Sequence, residues 1–226
     1  MEQLPGYVTV RDCIDGLLRG RTVSGAIAKT PSLPILLCVI IVCGCSYGAV
    51  MGSYSERPLQ IFYSASKMPL LFGCTFLVSL PAFYVLNTLA GLRDDFGRAL
   101  YALAATQAGL NIILLSFAPI TLFWYRSIED YSTAVALNAV MFGGASVTAQ
   151  RLLLRFYAPL IAANATHRIM LRVWIIIFAF VGIQMGWVLR PFIGSPSRPP
   201  AFLRTGEWSN AYVAVTRLFF KVLFGD

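Results

Sequence analysis

Three groupings of side chains in this sequence match spacings that chemistry uses. Gly44-Cys45-Ser46-Tyr47-Gly48 fits GxSxG, which in soluble hydrolases seats a nucleophilic serine on a sharp strand-to-helix turn. That serine needs a histidine base within hydrogen-bond reach, and His167 is the single histidine of the chain. Residues 44–48 lie in an uncharged apolar run that predicts a continuous helix, and His167 is predicted on the opposite membrane surface, so hydrolase chemistry is not expected. Cys43 and Cys45 are two apart, which on a helix points their thiols to different faces with no histidine nearby. Neither a metal nor a haem site is expected, and no residue is assigned a catalytic, cofactor-binding or metal-binding role. The cysteines in apolar runs, Cys38, Cys43, Cys45 and Cys74, read as buried structural thiols.

The third grouping is a set of amides in apolar surroundings: Asn87, Gln107, Asn111, Asn138, Gln150 and Gln184. One reading makes them interhelical hydrogen bonds, worth about 0.6–2 kcal/mol apiece in lipid. The other makes Gln107, Asn111, Asn138 and Gln184 the lining of a polar pocket or conduit. Ion-coupled pumps keep ionisable residues within their spans, and the five apolar cores hold no Asp, Glu, Lys, Arg or His, so a charge relay is not expected.

The elements that must carry these residues are membrane helices. Charged residues make up 12% of the chain against about 25% in an ordinary soluble domain, 58% are hydrophobic, and mean hydropathy is +0.71. Apolar runs predict five spans at 34–52, 68–92, 99–125, 131–150 and 173–190, within a transmembrane domain of residues 34–193. Pro81 is expected to kink the second and free the carbonyl of Leu77. The stretch 53–67 reads as a polar link. Residues 151–160 extend the fourth span as an amphipathic helix up to Pro159. Residues 1–33 read as an amphipathic segment on the cytoplasmic surface, with Val10, Cys13, Ile14, Leu17 and Leu18 on one face. Residues 194–226 read as an external proline-rich tail carrying a second amphipathic helix. Trp124, Tyr125 and Tyr131 fall where interfacial aromatic belts lie. The fold class is thus all-α, a polytopic bundle of five spans with interfacial helices at both ends.

Gly44, Gly48 and Gly52 recur every fourth residue of the first span and offer a bare groove for close helix approach. This groove is expected to be the seam on which the other spans pack, with Gly182 and Gly186 as a second close-packing pair on the fifth. A seam depends on smallness, so Gly48→Ala is expected to be much milder than Gly48→Leu.

The net charge of +8 brings lipid phosphates into view as partners before nucleic acid, because the basic residues sit in the loops and tails of a membrane protein. Ten of them (Arg11, Arg19, Arg21, Lys29, Arg93, Arg98, Arg151, Arg155, Arg168, Arg172) lie on the side of the N-terminus, against three (Arg57, Lys67, Arg126) in the short loops opposite. This predicts the N-terminus inside and the C-terminus outside. Asn164-Ala165-Thr166 fits a glycosylation pattern but falls inside, where it would not be used.

The succession SYGAVMGS, SASKMPLL, SLPAFYVLNTL, LSFAPITLF and VGIQMGWVLRPFIGSP resembles a set of uncharacterised bacterial polytopic proteins over about residues 46–217. That set is distantly similar to the Yip family of five-span proteins, which bind Rab-type GTPases and help shape membranes. The resemblance implies the topology and a bacterial cytoplasmic membrane. It does not imply GTPase binding, because the Asp-Leu-x-Gly-Pro signature is absent. The functional expectation is a non-enzymatic scaffold or accessory subunit of a larger membrane complex. Its partners would be lipid, other subunits or further copies of itself, with no cofactor. The alternative is an oligomeric small transporter, channel or lipid conduit that uses the buried amides.

Overall fold

The computed structural model describes residues 15–18, 31–127, 130–195 and 199–203. Every regular element among them is helical: α1 (Leu33–Gly52), α2 (Pro58–Leu89), α3 (Phe96–Ser116), α4 (Ala118–Ser127), α5 (Tyr131–Ala163) and α6 (Thr166–Val188). Counting α3 and α4 together, five helices are long and apolar enough to cross a membrane. Their outward faces carry Leu37, Ile41, Val42, Leu77, Val78, Val140 and Ile176, all exposed. An apolar exterior of this extent suits lipid as the solvent and marks an integral membrane protein.

The second span inverts the pattern of a soluble amphipathic helix. On α2 the buried face includes Gln60, Ser64, Lys67, Thr75, Ser79 and Asn87, while its leucines and valines look outward. Polar groups that lipid cannot satisfy are turned toward other helices. From Ala102 to Asn111 every residue of α3 is buried, so this alanine-rich helix is enclosed all round. It, and not the first span, is the centre of the bundle. α1 packs along both α2 and α3, α5 lies on α3, and α6 lies on α2. α5 and α6 are joined by a tight turn at Asn164 and Ala165 but have little contact along their lengths.

The helices outrun the apolar runs that betray them. The second span starts at Pro58 and ends at Leu89, where 68–92 was expected, so most of the supposed link 53–67 is helix. Its 32 residues reach about 48 Å at the usual rise, well beyond a hydrocarbon core of about 30 Å. α2 continues through Pro69 and Pro81, and α5 continues through Pro159 to Ala163. The fifth span begins at Thr166, seven residues ahead of 173. The third is two helices, α3 and α4, meeting at Phe117 just before Pro119. Gly91 turns the chain from α2 to α3 at φ +72°, a conformation that suits a residue without Cβ.

Of the amphipathic end segments, Asp15–Leu18 is helical, and Leu17 is fully buried in the core cluster that contains Leu36 and Phe83. The rest of the first segment through residue 30, and the last helix, lie outside the described residues. The cysteines are not buried as expected: Cys38 is exposed and Cys43, Cys45 and Cys74 are half-buried, so lipid rather than protein covers much of them.

Candidate functional site

The divergence of α5 and α6 leaves a cleft between them, floored by α2 and α3 and holding a cavity of 350 Å³. Its walls are apolar, with Leu153, Trp174, Ile175 and Phe178 among them, and Gly182 keeps one edge open. Five polar residues line it: Thr75 from α2, Thr106 and Gln107 from α3, and Ser146 and Gln150 from α5. The Thr106 hydroxyl donates to Ala102 O at 2.8 Å on its own helix, and Ser146 sits at the exposed edge. Thr75 is 1% exposed and Gln107 6%, yet the Thr75 hydroxyl and the Oε1 atoms of Gln107 and Gln150 have no hydrogen-bond partner among the described residues. A second groove of 570 Å³ continues toward the turn at Asn164 and shares Ile175 with the first. It is formed by Leu154, Ala158, Ile161 and Ala162 on α5 facing Arg168, Leu171, Arg172 and Ile175 on α6.

The four amides singled out by sequence do not converge on one pocket. Gln107 lines the cleft. Asn138 lies at the other end of the bundle beside a separate cavity of 370 Å³. There its Nδ2 donates to Tyr125 Oη at 2.6 Å and to Ala134 O at 2.8 Å, and its Oδ1 accepts from Tyr47 Oη at 3.5 Å. Tyr125, expected in an interfacial belt, thus serves an interhelical bond. Asn111 donates to Gln107 O at 2.9 Å and turns its Oδ1 toward Gly44, where a Cβ would lie 3.0 Å away. Gln184 is half-buried on α6 and lines none of these three cavities. Gln150, outside that foursome, is the amide that joins Gln107. Periodicity marked both as buried amides, but their meeting depends on which helices pair.

The glycines of α1 face α2 backbone to backbone. A Cβ at Gly48 would stand 2.9 Å from Ala65 Cα, and one at Gly52 2.7 Å from Ile61 Cα. Because those neighbours are main chain, even alanine clashes at Gly48, contrary to the expectation that alanine is mild there. Gly182 and Gly186 look at Thr75 and Leu71 across 3.5 and 4.0 Å, which is ordinary contact and not a close-packing pair. Gly109, whose neighbour at helical spacing is the small Ala105 and not a second glycine, is tighter than either, since a Cβ there would strike the side chain of Leu152.

Ser46 is exposed and donates to Val42 O at 2.8 Å on its own helix, while His167 is wholly buried at the other end with Nε2 3.3 Å from Asp95 Oδ2. The GxSxG match is therefore an accident of a glycine-rich helix.

A second polar assembly closes the Gly52 end. Lys67 was counted as a loop cation, yet it is 0% exposed and donates from Nζ to Pro191 O at 2.7 Å and Ala201 O at 3.5 Å. Its ammonium also lies 5.2 Å from the centre of the Phe202 ring. Beside it Ser64 and Gln60 Nε2 donate to Phe192 O, and Tyr131 Oη donates to Ile193 O at 3.2 Å. The stretch after α6, expected to run outward as an extended tail, thus begins by folding back onto α2.

Comparison with protein-family models, with curated proteins and with solved structures finds no match for this chain.

Proposed function

We propose that this chain is a non-enzymatic multi-pass membrane protein that takes an amphiphile sideways from the bilayer into the cleft between α5 and α6. The observation that carries this reading is the trio of oxygens on Thr75, Gln107 and Gln150 that lack a partner among the described residues inside a mostly apolar cleft. A buried polar group without a partner costs about 1–3 kcal/mol. A molecule with hydroxyl or amide N–H groups beside an apolar chain offsets that cost while its chain covers the walls. The cavity is in the size range of small-molecule sites, and its opening between two spans faces the lipid.

A lipid bearing a photoactivatable group on its acyl chain tests this on the full-length protein in mixed micelles. Adducts are expected on residues 142–153 and 174–183. Ser146→Phe with Ala179→Phe, both exposed at the cleft edge, should remove most of them without unfolding the bundle. Adducts spread evenly over all five spans would sink the reading.

The scaffold reading rests on a different observation. Gly143 and Gly144 are exposed on α5 with nothing within 4 Å of a Cβ at either, so a helix from another chain has room to approach. The glycines of α1 do not support it, because α2 occupies them. A mass measurement in mild detergent separates the two, since a lone chain that still captures lipid favours the cleft.

Arginine asymmetry supports placing the Leu33 end in the cytoplasm of a bacterial cell. With Lys67 buried, the loops at the opposite end keep Arg57 and Arg126 of the three cations counted there. Reporters fused after Lys29, Arg93 and Arg168 should read inside, and one fused after Asp226 outside.

A further inference from the structure

We propose that Arg168 and Arg172 form the headgroup end of the same cleft and select an anionic phospholipid; the proposal rests on the cleft reading and adds the chemistry of its ligand. Both arginines lie on one face of α6, one turn apart, and both line the 570 Å³ groove. Neither makes an ion pair or a side-chain hydrogen bond among the described residues. Asp95, the acid beside the neighbouring His167, pairs with Arg98 at 3.2 Å and with His167 at 3.3 Å. Among the described residues, both positive charges are thus unmatched and available to a ligand.

Three further features suit a phosphate. The arginines sit in the first two turns of α6, whose first turn holds no acidic residue, so the positive end of the helix dipole adds to their field. Guanidinium groups fit phosphate oxygens in pairs, which a lysine cannot do. The wall opposite is apolar, with Leu154, Ala158 and Ile161, and the groove meets the deeper cleft at Ile175. A headgroup held at Arg168 and Arg172 can thus send its chain past Ile175 toward Phe178 and Gln107. A soluble phosphate would use the charges and leave that path uncovered, so the fit is to a lipid.

The test measures binding of dihexanoyl phosphatidylglycerol and dihexanoyl phosphatidylcholine to the full-length protein in a neutral detergent, with sn-glycerol 3-phosphate as competitor. Wild type should prefer the anionic lipid by about 30-fold, the size expected from two basic residues near a lipid surface. Arg168→Gln with Arg172→Gln should bring the preference to near unity and leave the zwitterionic lipid's affinity unchanged. Arg168→Lys with Arg172→Lys should restore part of it.

Arg151→Gln with Arg155→Gln removes the same charge from exposed positions that do not line the groove, and it should leave the preference intact. If this control abolishes the preference equally, the effect is general surface potential and the proposal falls. Competition by glycerol phosphate as strong as by the lipid would show a soluble-phosphate site and overturn the commitment to a lipid. The two readings fail separately. No charge preference with acyl crosslinks still confined to the cleft removes the headgroup assignment alone. A charge preference that survives Ser146→Phe with Ala179→Phe, with crosslinks spread evenly, removes the cleft reading, and the arginines then bind anions without being the end of a cleft.

Discussion

The two ends of the bundle are built on opposite terms. At the Gly52 end, α1 and α2 touch backbone to backbone at Gly48 and Gly52, and residues 191–193 and 201 are tied down by Gln60, Ser64, Lys67 and Tyr131. Between the middle of the bundle and the turn at Asn164, toward the Leu33 end, α5 and α6 part around a cleft, and Arg168 and Arg172 stand without partners among the described residues. A bundle with both ends open would have little to hold α5 and α6 at a fixed spacing, and one with both closed would admit nothing. The difference teaches that the polar groups of this protein do two jobs: those near Lys67 and Asn138 mostly bond to protein, with Gln60 Oε1 and Ser55 Oγ as exceptions, while the oxygens of Thr75, Gln107 and Gln150 along the cleft do not.

Breaking the closed end should have the largest effect. Gly48→Leu forces α1 from α2 and should cost about 3 kcal/mol or more, read as a lower midpoint of thermal unfolding in detergent, whereas Val42→Leu on the exposed face should change it little. Equal tolerance at the two positions would mean the close contact does not exist.

Lys67→Met keeps the volume but leaves the carbonyls of Pro191 and Ala201 without that donor, at a cost of about 1.5–3 kcal/mol. Proteolysis within residues 191–203 should accelerate accordingly. An unchanged cleavage rate would mean the segment is held by other contacts.

At the open end His167 holds the turn before α3 through Asp95. His167→Ala should loosen α6 by about 1–2 kcal/mol. It should also raise hydrogen exchange at residues 93–98 while leaving 53–67 unchanged. A uniform rise across both ends would dissolve the contrast between them.

The smallest effect belongs to Asp130, the N-cap of α5. The Thr133 hydroxyl, then the Ser132 hydroxyl and the Thr133 N–H, hold its carboxyl down at about 2. A folded-state value below the ordinary one stabilises above the usual carboxylate range, and the stabilisation is lost as pH falls toward 2. Asp130→Asn should flatten that acid limb slightly, and an identical acid profile would count against the cap.

Five spans, and helix as the regular structure of the described residues, were legible in hydropathy alone, because a charge-poor run of this length has few other uses. Boundaries were less so. Hydropathy reports the part of a helix that lies in lipid, whereas α2 and α5 continue past it through residues that are polar or proline. Prolines were a poor guide: Pro69, Pro81 and Pro159 lie within continuous helices, while the break at Phe117 accompanies Pro119.

Lys67 read as a loop cation because its partners lie 124 and 134 residues away, beyond any local pattern. The centrality of α3 had a signal that went unused, the small residues Ala102, Ala104, Ala105, Ala108 and Gly109, which let neighbours crowd a helix from all sides. Of the candidate cleft, the residue types were legible and the grouping was not. Gln107 and Gln150 meet only because α5 packs on α3, and nothing in either helix names its neighbour.

Lys67 also imposes an order on biosynthesis. The ribosome completes it 124 residues before Pro191, an interval of roughly 6–25 s at about 5–20 residues per second. During that time the lysine lacks two of its carbonyl partners, and its long stem favours keeping the ammonium at the water boundary. The second span therefore reaches its final depth only after the chain beyond the fifth has been made. A ribosome-arrested chain ending at residue 190 should leave Lys67 open to a water-borne amine reagent, and the finished chain should shield it. Equal labelling of both would show that the lysine is seated before its loop arrives.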